Sequence, residues 1–251
     1  MSKALMAERL IEVLDYLGSE ASAVSCMAIA RQYGRPQSST SDLLNVMEEL
    51  GLLVRNQETG DYSLAARSAL LGVRGQPSFI KFGGVLNMAD EVFDATGRTV
   101  AVFARCGLHA QIIAKRNGLR PWRPTQGTRH SLIRSIAGQM LLSRAPERNV
   151  RGIVHRLNAE APEDRQVPAK RVEEAIRRAR DDGYLTGPVG FGTKAQMLVC
   201  GLPGLPAERA IAVGVIINLQ ELDDKAAIRE TIMEATRHWQ ATAQASEVHS
   251  G

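Results

Sequence analysis

The stretch from Ser25 to Leu64 constrains this chain more than any other. Ser25-Cys-Met-Ala-Ile-Ala-Arg-Gln-Tyr33 places a Ser in N-cap position ahead of apolar residues at Met27, Ile29 and Ala30. Gly34 follows where a helix needs a left-handed stop, and Arg35-Pro36-Gln37 make a turn. A second helix starts within Ser38-Ser39-Thr40 and buries Leu43, Leu44, Met47 and Leu50 along one apolar stripe, with Gly51 as its end. Leu52-Leu53-Val54 and Tyr62-Ser63-Leu64 then flank a polar loop from Arg55 to Asp61 with Gly60 near its end, which reads as a β-hairpin.

Two helices joined by a short Gly-containing turn form either an ordinary helical hairpin in a core or a helix-turn-helix, whose second helix enters the major groove of DNA. The hairpin directly after the second helix favours the latter, in its winged variant. Gln37, Ser38, Ser39, Thr40, Ser41, Asp42 and Asn45 start and face that helix, and all of them can hydrogen-bond to phosphates or base edges. Arg35 in the turn, and Arg55 and Asn56 in the wing, complete the candidate DNA-binding set.

These residues resemble a known family. Ile29-Ala30, Gly34-Arg-Pro-Gln-Ser-Ser-Thr40, Leu43-Leu44, Met47-Glu-Glu-Leu-Gly-Leu52 and Gly60-Asp-Tyr-Ser-Leu64 look like the winged helix-turn-helix of IclR-type transcriptional regulators. The specific part of the likeness spans roughly residues 5–72, and a looser one covers the remaining chain. It implies a mixed α/β (α+β) protein: a winged helix-turn-helix at 1–75, a linker helix at 76–97 and a GAF-like α+β effector-binding domain at 98–251.

Length and composition agree with that outline. The 251 residues suffice for two ordinary domains, and 44% apolar with 23% charged residues is the mixture of a soluble globular protein. No run approaches a membrane span, and Met-Ser-Lys-Ala lacks the apolar core of a signal peptide. Cys26, Cys106 and Cys200 are scattered without metal-ligand or redox spacing and suit a reducing cytoplasm. The net charge of +4 is unevenly placed: residues 1–75 hold seven Lys/Arg against nine Asp/Glu, and residues 76–251 hold 24 against 18. The presumed DNA-binding part is thus slightly acidic. That implies modest affinity per module and a need for dimeric binding.

Along the chain, Leu5 to Gly18 is an amphipathic helix that braces the two reading helices. Ala65 to Gly72 reads as one or two helical turns, and Gly75-Gln-Pro-Ser78 as the domain boundary. A helix from Phe79 to about Thr96 buries Ile80, Val85, Leu86, Ala89, Val92 and Phe93, and Gly97 stops it. Strands follow at Thr99–Ala104 and Ala110–Lys115 around a hairpin, then a basic loop with Lys115, Arg116, Arg120, Arg123 and Arg129. Helices are expected at Ser131–Ser143, Pro146–Leu157 and Pro168–Asp182, strands at Met197–Leu202 and Ala210–Leu219, and a last helix from Asp223-Asp224 to about Gln240. This order gives an antiparallel sheet covered on its faces.

Signs of catalysis are weak. Gly187 to Lys194 superficially suggests a phosphate loop, but Thr193 and Lys194 are transposed relative to the Gly-Lys-Ser/Thr that such a loop requires. No nucleophile elbow or zinc-protease motif exists, and His109 and His155 read as surface or structural residues. Glu173-Glu174 amid Arg171, Arg177 and Arg178 read as a solvated helix face. Neither catalytic residues, nor a metal, nor a cofactor is expected.

Two departures from the family pattern bear on function. Where IclR-type recognition helices usually carry Arg and Lys, this chain has Asp42 and Gln37. Asp42 either closes a capping box with Ser39 or accepts from cytosine in the groove. Weight therefore shifts to Arg35 and Arg55. In the family, a loop and helix start rich in small residues lines the effector. Here the corresponding residues are Ile133, Arg134 and Ser135, with Arg134 either facing a carboxylate or facing solvent. Ala195, Met197, Gly214 and Ile216 fall at pocket positions that are often polar in relatives, implying a roomier, more apolar cavity. The resemblance implies a ligand-responsive regulator, repressor or activator. Its partners would be a double-stranded DNA operator, a small organic acid effector, carboxylic or aromatic, and a second copy as homodimer, with pairing into a dimer of dimers open. The alternative reading is a small-molecule sensor that has lost sequence-specific DNA binding.

Overall fold

A computed structural model describes residues 3–19, 23–71, 80, 83–118, 127–189, 195–217 and 225–248. The chain divides into two compact units, Met1–Pro77 and Ser78–Gly251. The proposed boundary at Gly75–Ser78, most of the basic loop around Arg123, the segment 190–194 and Asp223-Asp224 lie outside the described residues.

The first unit runs α1 (Lys3–Ser19), α2 (Cys26–Gln32), α3 (Gln37–Glu49), β1 (Leu53–Arg55), β2 (Tyr62–Leu64) and α4 (Ala66–Leu70). Ser25 caps α2 by accepting the Ala28 N–H at 3.2 Å. Gly34 then turns the chain at φ 59°, a left-handed value that glycine adopts without strain. Val13, Leu17, Ile29, Leu43, Leu44, Met47, Leu53 and Tyr62 form the core. Each such buried aliphatic side chain contributes roughly 1.5–3 kcal/mol. Val24 exchanges two backbone hydrogen bonds of 2.9 Å with Tyr62, so the hairpin is tied to the residues entering α2.

Two local expectations are corrected. Leu50 is exposed, because α3 ends at Glu49 and its stripe stops with Met47. The cap of α3 is Pro36, one turn earlier than the Ser-rich segment implied, so Ser39 and Asp42 lie inside the helix and form no capping box.

The second unit is built on a six-stranded sheet in the order β5-β4-β3-β8-β7-β6, every neighbouring pair antiparallel. Its strands are β3 (Val100–Cys106), β4 (His109–Arg116), β5 (Arg129–Ser131), β6 (Tyr184–Pro188), β7 (Gln196–Gly201) and β8 (Ile211–Ile217). One face carries Val100, Val102, Leu198 and Val213 against α5 (Gly84–Thr96) and the long terminal α9 (Lys225–Val248). The Trp239 indole N–H joins those two helices by donating to Glu91 at 2.7 Å. On α5 the buried stripe is Val85, Met88, Ala89 and Val92, and Leu86 is 48% exposed, a correction of one helical step.

The other face carries Ala101, Phe103, Ile112, Met197, Val199 and Ile216 beneath α6 (Ile136–Leu142), α7 (Glu147–Ala159) and α8 (Ala169–Asp182). With both faces covered, β8 reads as seven consecutive buried residues rather than an alternation. Strands β5 and β6 were not expected. The three residues of β5 pair with His109–Gln111, so the helix expected from Ser131 begins only at Ile136, with Ser135 as its cap.

Gly138 shows how closely α6 is seated. A Cβ at this position would stand 2.5 Å from the Leu132 carbonyl oxygen, against backbone that cannot swing aside. Gly138→Ala should therefore cost on the order of 1–3 kcal/mol, read as a lowered thermal midpoint of the chain.

Candidate functional site

The apolar stripe of α3 decides which of its residues face outward. With Leu43, Leu44 and Met47 inside, Gln37, Ser38, Asp42 and Asn45 are exposed and Ser39 and Ser41 are half-buried. Thr40 is only 4% exposed and donates to the Pro36 carbonyl at 3.0 Å, which removes it from the candidate contacts. Ser39 donates to the same carbonyl at 3.1 Å. Asn45 accepts a long hydrogen bond, 3.5 Å, from the Tyr62 hydroxyl. Its amide is thereby aligned with the wing.

The wing presents Arg55, exposed, with its guanidinium 5.6 Å from the centre of the Tyr62 ring. The two residues are direct cross-strand partners. A ring under a guanidinium holds it in place while leaving its donors open. Asn56 is differently employed. Its side-chain oxygen accepts the Glu58 and Thr59 N–H groups at 2.8 and 3.1 Å, an Asx turn that shapes the wing tip, so it acts on the loop rather than outward. Arg35 is half-buried and its guanidinium is ion-paired to Glu12 of α1. Among the described residues of this unit, Arg31 and Arg67 are further exposed cations, and Arg67 donates to the Leu50 carbonyl at 2.7 Å. Glu12 and Tyr62 escaped sequence reasoning. The Arg55–Tyr62 pairing is implied by the hairpin register, but nothing local signals that Glu12 meets Arg35 across 23 positions.

In the second unit the candidate effector residues separate. Ile133, Met197, Gly214 and Ile216 are buried on the face beneath α6, and Ala195 is half-buried at its margin. Arg134 is exposed in the turn before α6, so the solvent-facing alternative holds. Ser135 is occupied by its cap: it accepts the Gly138 N–H at 3.0 Å and donates to Ser131 O at 2.9 Å. The roomier cavity expected around Gly214 is filled. A Cβ there would stand 3.0 Å from Met197 Cγ and 3.2 Å from Phe103 Cε2, so the space is occupied by two adaptable side chains.

His130 was missed as a residue of this face. It is 7% exposed and meets Phe103 edge-on at 5.9 Å between ring centres. Burial lowers its pKa below the ordinary histidine value, which keeps the imidazole neutral. Neither Cys26 nor Cys200 is an activated nucleophile: burial raises the Cys26 thiol and pushes Cys200 up to about 12. Among the described residues no cluster of His, Cys, Asp or Glu could hold a metal, and no helix is long and apolar enough to cross a membrane.

Comparison with known proteins decides what this geometry belongs to. Residues 6–57 match the IclR helix-turn-helix domain. The helix-turn-helix of the first unit is of the IclR type. The whole fold of the chain is shared with solved IclR structures at low identity. An IclR homolog from Microbacterium hydrocarbonoxydans, complexed with 4-hydroxybenzoate, is 17% identical with a TM-score of 0.64, covering 96% of this chain and 99% of its own. The Thermotoga maritima IclR is 15% identical with a TM-score of 0.62 over 96% and 99%. An IclR family transcriptional regulator from Brucella abortus is 20% identical with a TM-score of 0.56 over 94% and 91%. No curated protein matches the sequence.

His130 gives the chain a pH signature. A histidine held neutral by burial binds its proton less readily folded than unfolded, so its stabilising effect is present above the unfolded pKa of about 6.5 and is lost as pH falls through and below that value. The thermal midpoint should fall between pH 7 and pH 5, and His130→Phe should flatten that part of the profile. An unchanged slope in the variant would exclude this residue as the cause.

Proposed function

We propose that this chain is a DNA-binding transcriptional regulator and not an enzyme, that it grips operator DNA through the outer face of α3 and through the wing, as a two-fold homodimer in the cytoplasm, and that its second unit releases or strengthens that grip on binding a small organic acid. The exposed polar row Gln37, Ser38, Asp42 and Asn45, with Arg55 beside it, is the observation that carries the reading. In this reading Asn45 meets a base edge and Arg55 a phosphate. Asp42, free of any capping duty, would accept from a cytosine amine. One acidic module with few cations binds weakly, so two half-sites about one helical turn or a multiple apart are required.

The effector is proposed to enter over Gly214, displacing Met197. Support comes from the small residues Ala101, Ala212 and Gly214 beneath Met197 and Phe103, and from the 4-hydroxybenzoate held by the Microbacterium hydrocarbonoxydans relative. With Arg134 outside, an aromatic ring is favoured over a small hydrophilic acid, and His130 supplies a polar partner at the β5 edge. Whichever arrangement of the units the ligand prefers is the one it populates.

In a mobility-shift series on DNA from upstream of its own gene, the chain should give a footprint with dyad symmetry and an affinity falling with salt. Arg55→Ala should lower the slope of log K against log salt by about one per protomer, while Asn45→Ala should weaken discrimination between sites with little change of slope. Failure to retard DNA at low salt would favour a sensor that no longer reads DNA, a reading to which the acidic first unit lends weight. Separately, 4-hydroxybenzoate at a hundred times its Kd should stabilise the chain by about 2.7 kcal/mol. Met197→Ala should alter that shift, and a melting point indifferent to the ligand would exclude this aromatic acid.

A further inference from the structure

Arg35 lies between the end of α2 and Pro36, the cap of α3, the place in the fold where a DNA phosphate meets the positive end of the reading helix. Its guanidinium is turned back. It bonds Glu12 Oε2 and stands 4.9 Å from the centre of the Tyr33 ring, while the Tyr33 hydroxyl donates to the Glu12 carbonyl at 2.7 Å. The pair is not sealed in the core: the side chains retain 18% and 33% of their exposure. Arg9, Arg35 and Ser39 also line one small hollow under the first turn of α3.

We propose that Glu12 is a built-in competitor for DNA phosphate: in the free chain its carboxylate holds Arg35, and on the operator a phosphate oxygen takes that place. The inference rests on the DNA-binding reading and adds to it the residue that sets its strength. The chemistry of the two acceptors is alike, since a guanidinium bonds carboxylate and phosphate through the same planar fork. A partly exposed ion pair is weak and screened, so exchange is easy, and the phosphate offers in addition the release of its condensed counterions. The exchange also answers a shortage. The first unit has more acidic than basic residues, and its reading helix carries no Lys or Arg. Were Arg35 to stay on Glu12 the dimer would forgo a contact per half-site, and an unpaired Glu12 beside the duplex would repel it. Neutralising Glu12 removes the competition in either case.

The test uses the full chain, the DNA from upstream of its gene and a salt series, with four proteins: wild type, Glu12→Gln, Arg35→Ala and the double variant. Glu12→Gln should bind several-fold more tightly than wild type at low salt. Arg35→Ala should lower the salt slope by about one per protomer, and Arg35→Lys should retain it. In the double variant the gain from Glu12→Gln should vanish, which is the coupling that a direct exchange requires. If Glu12→Gln binds as wild type or more weakly while wild type binds, the pair only braces the turn and the proposal fails. It fails equally if Arg35→Ala leaves the slope intact. Loss of retardation in the wild-type arm itself would overturn the DNA-binding reading, and this inference with it. Melting curves of every variant separate a changed affinity from a changed fold, and Arg35→Lys keeps the slope readable should Arg35→Ala unfold.

Discussion

The burial of Leu43, Leu44 and Met47 is the constraint on which the function of the first unit depends. Three side chains at helical spacing fix the rotation of α3 about its own axis, and that rotation alone decides that Asn45 and Asp42 face outward while Thr40 faces in. Nothing in the polar residues themselves could do this, because Ser and Thr hydroxyls satisfy themselves on the nearest carbonyl, as Ser39 and Thr40 do on Pro36. The wing then follows from Tyr62. Its ring is buried in the same cluster, its hydroxyl reaches Asn45, and its face supports Arg55. One core residue thus ties the exposed face of α3 to the exposed arginine of the wing.

In the second unit the corresponding constraint is a sheet covered on both faces. Helices α5 and α9 close one side with branched aliphatic packing, as expected of a structural layer. The opposite side differs in kind. Gly214 lies between Ala101 on β3 and Val199 on β7, and the hollow so made is filled by Met197 and Phe103. A thioether with three rotatable bonds is the filling that yields most cheaply to an incoming ring. The same face that needs only shape for stability can therefore serve as a site without being empty beforehand.

Much of this was legible from periodicity. The two reading helices, the wing, α5, α7, α8 and the strands β3, β4, β7 and β8 all declare themselves through apolar spacing and their Gly or Pro stops. What escaped had no such signal. Strand β5 is three residues long and inherits its conformation from pairing with β4, while β6 begins straight after Gly183 and ends on Gly187-Pro188. Roles failed where a residue had two uses. Asn56 could contact DNA or build a turn, Ser135 could hold a ligand or cap a helix, and local backbone donors claimed both. Arg134 and Met197 show the limit from the other side: a sequence position names neighbours along the chain, but which side of a sheet or turn is already full depends on volumes contributed by distant strands.

Charge poses the remaining question of how an acidic module binds a polyanion. The answer lies in placement rather than in sum. Of the acidic residues, Glu12 is paired with Arg35, and burial raises the pKa of Asp15 on α1, which disfavours its charge. Arg55 by contrast sits on a hairpin that projects it, and Arg31 is exposed on α2. Since screening confines exposed charges to about 8–10 Å at physiological salt, a phosphate responds to the cation beside it far more than to carboxylates farther off. Low cation number then makes each contact count in the salt dependence. Under the proposed reading it also leaves discrimination to side chains such as Asn45 and Asp42, which would lose more than they gain on a wrong base. A module that works this way binds poorly alone and selectively in pairs.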